Sequence, residues 1–242
     1  MGEDKKKYKI FADDKKFYLG SVTVSNGRFS SLDLEKELSE EEAFSREEAF
    51  LLPGLIDIHF HGCLGQDFCD GTREAITTLA KYELEHGVTG ICPATLTLAL
   101  TDLDQVLATA KEYSEEGEKL GEARLLGINM EGPFISHVKK GAQNEKYILK
   151  CDEKILSRFL ERSGGLVKFV GLAPEENPNF EDYIRKVKGR VKVSLAHTNA
   201  DFQTALLAYR AGAGHAVHLF NAMTGLDHRN PGVVGATVES KE

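Results

Sequence analysis

From residue 51 onward the chain alternates between two hydrophobic patterns. Short, nearly continuous apolar runs recur: LLPGLIDIHFHG, GVTGICPATLT, LLGINMEGPFIS, VKFVGLAPE, VKVSLAHTNA and HAVHLFNAM. Between them lie longer stretches with apolar residues at helical spacing, such as Ile76, Leu79, Ala80 and Leu84 in TREAITTLAKYELEHG. A continuous apolar run is what a parallel strand buried on both faces requires. Six such runs separated by helices predict an α/β fold with parallel sheet.

The opening block reads differently. YKIFADD, KFYLGSVTV and RFSSLDL look like short strands, and Asn26-Gly27 between two of them signals a tight hairpin. Residues 35–50 are acidic and read as a solvated stretch. The division expected is therefore residues 1–50 as the N-terminal part of a small β-sandwich domain, and residues 51–242 as the main domain.

Several of the apolar runs end in a polar residue able to bind a metal. In a (β/α)8 barrel the C-terminal ends of the strands converge on one face, where active sites sit. No dinucleotide fingerprint follows the first strand, so the barrel is preferred over a doubly wound sheet. Only about six of eight strands can be counted, and the chain stops at GVVGATVESKE, inside what should be a connecting segment. The expectation is an incomplete (β/α)8 TIM-like barrel, truncated as a fragment, a reading frame or a partial chain.

Composition narrows the function. With 242 residues and a net charge of −8, the chain is an ordinary globular protein with no basic face for nucleic acid. No run approaches the roughly 18–20 apolar residues of a membrane helix, and the charged N-terminus lacks the apolar segment of a secretory signal. Cys63, Cys69, Cys92 and Cys151 form no CxxC pair, which suits reduced thiols in a cytoplasm. Cys63 and Cys69 read as packing residues.

His59 and His61 alternate with Phe60, so both point to one side of a strand, a natural metal pair. Read alone, a coincidental HxH is as good an account. Asp57 would orient such a ligand from behind. Glu131 closes an apolar run and needs a cation or strong donors there. His197 and His218 complete a ligand set. His86, His137 and His215 are set aside, the first for a helix C-terminus and the last as structural. Arg229, in DHRNPG, suits a bidentate contact to an oxyanion, and KKGAQN (139–144) is either a turn or a close approach to a ligand.

Taken together, PGLIDIHFHG, GINMEGPFIS, KKGAQN, SLAHTNA and HLFNAMTGLDHRNPGVVGA resemble the amidohydrolase superfamily, and within it the N-acetylglucosamine-6-phosphate deacetylases. The resemblance implies that Glu131, His197 and His218 bind a principal divalent metal (zinc, iron, manganese or cobalt), with His59 and His61 opening a second position. It maps substrate contacts onto Ala142 and Gln143, the backbone around Asn221 and Ala222, Arg229 on the sugar phosphate, and the adjacent His228. It also implies a homo-oligomer when full length and hydrolysis of the N-acetyl group to acetate and the free amino sugar phosphate. There are two departures: Gln143 stands where His is expected, and the family's catalytic aspartate lies on a strand beyond residue 242. On that basis the chain is expected to be poorly folded alone or nearly inactive. Competing readings are the galactosamine epimer, an inactive metal-binding fragment, and a dihydroorotase-like member. The last would place a modified lysine at the end of the fourth strand, whereas Lys168 opens it.

Overall fold

A computed structural model describes residues 6–240. Residues 1–5, on which the reading of the N-terminus partly rests, and 241–242, at the expected break-off, lie outside the described residues. The chain divides into two compact units, Met1–Gly54 and Leu55–Glu242.

In the first unit, β1 (Lys7–Phe11), β2 (Phe17–Ser25) and β3 (Arg28–Leu38) pair antiparallel in succession. After the helix α1 (Glu40–Ser45), β4 (Phe50–Leu51) joins β1 in parallel, giving one sheet in the order β3-β2-β1-β4. Asn26 and Gly27, at φ 53° and 70°, turn the β2–β3 hairpin in the left-handed region that a two-residue type I′ turn demands. β3 continues four residues past the expected end at Leu34. Glu35 and Glu37 there meet Lys7 and Lys16 across the strands, the latter pair at 2.9 Å. The following acidic residues, expected as an irregular stretch, are ordered by a cap. The Ser39 hydroxyl accepts the Glu42 N–H, and the Glu42 carboxylate accepts that of Ser39. Such a cap is worth about 1 kcal/mol, enough to start so short a helix when its first turn is acidic.

The second unit repeats strand and helix. It runs through β5 (Leu55–Asp57), the small hairpin β6 (Gly62–Cys63) and β7 (Gln66–Asp67), α2 (Arg73–Glu85), β8 (Val88–Ile91), α3 (Leu100–Glu115) and β9 (Arg124–Leu125). It continues through β10 (Ile128–Phe134), α4 (Glu153–Arg162), β11 (Val167–Leu172), α5 (Phe180–Val187), β12 (Lys192–Leu195), α6 (Phe202–Ala211), β13 (His215–Ala216) and α7 (Gly232–Glu239). Thr72, Asp152 and Asp201 cap α2, α4 and α6 through their side-chain oxygens.

The strands form two parallel sheets, β5-β8-β9 and β10-β11-β12-β13. Ala94 and Asn129 form an isolated parallel bridge between them, with the Thr95 N–H donating to Asn129 O at 2.9 Å. The expected single barrel wall is thus two parallel sheets among the described residues, and they form no closed barrel. All seven residues of β10 are buried. The helices lay Leu103, Leu107, Leu156, Phe159 and Ile184 against Met130, Phe134, Val170 and Val193. Each such fully buried side chain contributes roughly 1.5–3 kcal/mol, so the core lies where β10, β11 and β12 meet α3, α4 and α5.

Candidate metal centre

Glu131 is the fourth residue of β10, between Met130 and Gly132, and only 2% exposed. Its neighbour on the next strand must be small: a Cβ at Gly171 would come within 2.2 Å of Glu131 O. The four histidines lie just past strand ends. The Asp57 carboxylate accepts the His59 N–H at 2.8 Å and turns the chain after β5, setting His59 and His61 on its far side. Asp57, expected to orient a ligand from behind, acts here on the His59 backbone and not on a ring. His197 and His218 each follow their strand by two residues and leave it with φ of 44° and 33°. Phe220 and Ala222 continue the left-handed course at 82° and 51°. Such backbone costs of order 1–3 kcal/mol per residue and persists where the surroundings over-determine it.

These side chains converge. Glu131 Oε1 lies 3.0 Å from His218 Nε2 and 3.2 Å from both His197 Nε2 and His59 Nε2. His61 Nε2 is 3.5 Å from the other oxygen, Oε2. The two ring nitrogens of His197 and His218 approach to 3.2 Å. Proton positions follow from the partners. His197 Nδ1 meets Lys139 O at 2.8 Å and His218 Nδ1 meets Asn221 O at 2.9 Å. A carbonyl only accepts, so both Nδ1 atoms carry a proton, and each Nε2 is the nitrogen turned toward Glu131. His59 differs: its Nδ1 lies 3.3 Å from the Asn129 amide nitrogen, which itself donates to Ile58 O at 2.9 Å.

Burial alone would push the Glu131 carboxyl up, but hydrogen bonds with His197, His218 and His59 outweigh it and hold the group far below the usual carboxylate range. The hydrogen bond to Glu131 raises the His218 imidazole above its ordinary value against the opposing effect of burial. An ionised carboxylate facing the Nε2 atoms of two imidazoles in a buried place is a donor set that suits a divalent cation. Two groups of three can close on an ion, His59–His61–Glu131 and Glu131–His197–His218, each with ligand atoms within 4.8 Å of one another. The buried His61 Nδ1 has no hydrogen-bond partner in the structure.

The residues expected to touch substrate divide. Gln143 is 5% exposed and donates to Glu131 Oε2 at 2.8 Å. Ala142 beside it is exposed. Asn221 donates its N–H to His218 O at 2.8 Å as well as accepting from the His218 ring, so it braces that histidine. Ala222 O accepts the Thr198 N–H at 3.0 Å. His228 and Arg229 are exposed on the loop before α7, His228 beside Asp227 at 3.6 Å. Asn129 and the Lys139 carbonyl were not singled out from sequence. A buried asparagine inside an apolar run was a signal for the first, while a backbone carbonyl leaves none.

The residues set aside lie elsewhere. His86 ends α2 with its ring on Tyr82 O, His137 faces Glu176, and His215 is hydrogen-bonded to Ser194 and pushed down by burial. Lys168 donates to Gly165 O at the start of β11, far along the strand from its C-terminal end. Cys69 accepts the Leu96 N–H through sulfur, and burial pushes its thiol up to about 12.

Parallel-strand architecture, with a buried carboxylate on one strand and imidazoles just past the ends of three others, defines an α/β unit with a cluster of metal-binding side chains. Residues 50–236 match the model of the amidohydrolase family, and the chain belongs to that family. Over 224 residues it is 38% identical to an N-acetylglucosamine-6-phosphate deacetylase of Bacillus subtilis, covering 90% of this chain and 56% of the relative. An N-acetylgalactosamine-6-phosphate deacetylase of Escherichia coli O157:H7 is 32% identical over 196 residues, 81% of this chain and 52% of that one. Among solved structures, a mutant N-acetyl-D-glucosamine-6-phosphate deacetylase of Mycobacterium smegmatis in complex with N-acetyl-D-glucosamine-6-phosphate superposes with a TM-score of 0.78 at 25% identity, covering 91% of this chain and 56% of that one. The chain spans about half the length of the curated relatives it matches.

Proposed function

We propose that this chain carries the metal centre of a deacetylase that hydrolyses the N-acetyl group of N-acetylglucosamine 6-phosphate, giving glucosamine 6-phosphate and acetate. The observation that carries the reading is the meeting of Glu131, His197 and His218 within 3.2 Å of one another. Glu131, His197 and His218 would hold the principal ion, and His59 and His61, with Glu131, a second position. Zinc, iron, manganese and cobalt all suit such donors. A divalent ion held there would supply Lewis acidity toward the acetyl carbonyl. The chain's own residues position the ligands and the substrate. Glu131 remains ionised, and the Lys139 and Asn221 carbonyls keep the two imidazoles turned. Arg229 offers a planar fork to the sugar phosphate, assisted by His228, while Ala142 and the backbone at Asn221 and Ala222 line the approach.

The two parallel sheets, whose β9 and β10 follow each other in one apolar run, fit six strands of a (β/α)8 barrel, and their likeness to a solved deacetylase supports that arrangement. Residues 51–242 then form the barrel part and residues 1–50 part of a small β-domain. A cytoplasmic homo-oligomer acting on a small sugar phosphate, without nucleic acid or membrane, completes the reading. Among the described residues no helix is long and apolar enough to cross a membrane. The galactosamine epimer is the second reading, favoured by the E. coli relative. Calorimetry with the zinc-loaded full chain tests both, with acetate assayed alongside. Metal-dependent binding of N-acetylglucosamine 6-phosphate is expected, with little or no acetate released. Binding confined to the galactosamine compound selects the epimer, and binding of neither compound overturns the proposal.

A further inference from the structure

Gln143 occupies an unusual place for a residue expected to contact substrate. Its side chain is buried and committed at both ends. The Thr97 N–H donates to its Oε1 at 2.7 Å, and its Nε2 donates to Glu131 Oε2 at 2.8 Å. The orientation of a glutamine amide is ordinarily open to a flip. Here it is not. A backbone N–H can only donate, so the amide oxygen must face Thr97, and a carboxylate can only accept, so the NH2 must face Glu131. The amide is a directional link from the backbone of the loop between β8 and α3 to one chosen oxygen of the carboxylate.

The same loop reaches a second ligand. Lys139 O, four residues earlier, fixes the His197 ring, and the turn between them is closed by the Gln143 N–H donating to Lys140 O at 3.1 Å. Gly141, at φ 60°, passes so near the His197 ring that a Cβ would lie 3.5 Å from Cε1. One short loop therefore sets both a carboxylate and an imidazole.

Resting on the metal-centre reading above, we propose that Gln143 is a positioning residue. By occupying Glu131 Oε2, it presents Oε1 as the single oxygen facing His197 and His218, and so makes Glu131 a one-oxygen ligand to the principal ion. Without that donor the carboxylate is free to turn about its last bond and offer both oxygens. The consequence is a change in coordination as well as in affinity. Outer partners of this kind typically change metal affinity ~10–100-fold.

Cobalt(II) titrated into the metal-free full chain tests this, because its visible absorption band reports coordination number and geometry independently of turnover. Q143M keeps the length and removes both bonds, and Q143L removes them with a shorter side chain. The expected result in each is a shifted cobalt band and cobalt binding about 10–100-fold weaker. A band at the wild-type position in Q143M overturns the proposal, and if Q143M does not fold, the Q143L band decides in the same way. A wild-type chain that takes up no cobalt overturns this proposal together with the metal centre. A wild-type chain that binds cobalt while the variants match it overturns the positioning role alone.

Discussion

His197 and His218 present their Nε2 atoms to each other at 3.2 Å, although each belongs to a different strand end and each ring is held from behind by a backbone carbonyl. Two lone pairs so close repel unless a proton or a cation stands between them and Glu131. The pair is therefore built around a positive charge.

The two histidine sets are unequal, and metal uptake should show it. The His197 and His218 rings have their distal N–H donated to carbonyls, whereas the His59 Nδ1 faces an amide donor from Asn129. His197→Ala or His218→Ala should weaken zinc binding by more than the ~10–100-fold typical of losing a supporting partner. His59→Ala should cost less than either. Competition titration with a chromophoric chelator measures all three, and equal losses would remove the distinction.

Acidity gives a second handle. The pKa of His218 is raised in the folded, metal-free chain, chiefly by its bond to Glu131. A raised pKa means the folded state holds the proton more tightly. The stabilisation is complete below the ordinary histidine value of ~6.5 and is lost as pH climbs through the raised one. Thermal melts of the metal-free chain should therefore decline from about pH 6.5 upward. A cation must displace that proton, so zinc affinity should rise across the same interval. His218→Ala should flatten both trends.

Gly171 offers a test of packing behind the site. A methyl group there meets Glu131 O at 2.2 Å and the Ala196 Cβ at 3.0 Å. Overpacking of this sort typically costs 1–3 kcal/mol, and here the strain falls on the strand that carries the carboxylate. Gly171→Ala should lower the urea midpoint by a corresponding amount and weaken zinc uptake with it. Unaltered uptake in a destabilised variant would show that the strand absorbs the strain away from Glu131.

Burial pushes the thiols of Cys69 and Cys92 up to about 12 and that of Cys151 up to about 11. At pH 8 almost none is thiolate, the reactive form. Cys63 is raised too, by burial, but it is the one of these residues least withdrawn from solvent. Iodoacetamide followed by mass spectrometry should find modification of the native chain confined to Cys63, with the other three labelled only after unfolding in urea.

The sequence disclosed the strands better than their supports. Each of the six apolar runs contains a parallel strand in the expected order, because continuous hydrophobicity is a local property. The residues of the cluster were legible for a similar reason: a histidine or glutamate in or just after an apolar run stands out. What held them was hidden. The Thr97–Gln143–Glu131 link joins positions 46 and 12 residues apart, and the Lys139 carbonyl that fixes His197 belongs to no side chain at all. The extension of β3 to Leu38 was equally obscure, since Glu35 and Glu37 find their lysines only once the hairpin has closed. The expected continuous wall is two sheets because several strands are only two to four residues long, too short to propagate a ladder.

Glu131 stands on a strand with every residue buried, while its four imidazole companions come from segments beyond strand ends. The acid is thus an anchor that cannot be relocated without dismantling the interior, and the histidines are fittings around it. Anyone wishing to redesign this cluster has four adjustable points and one that must be left alone.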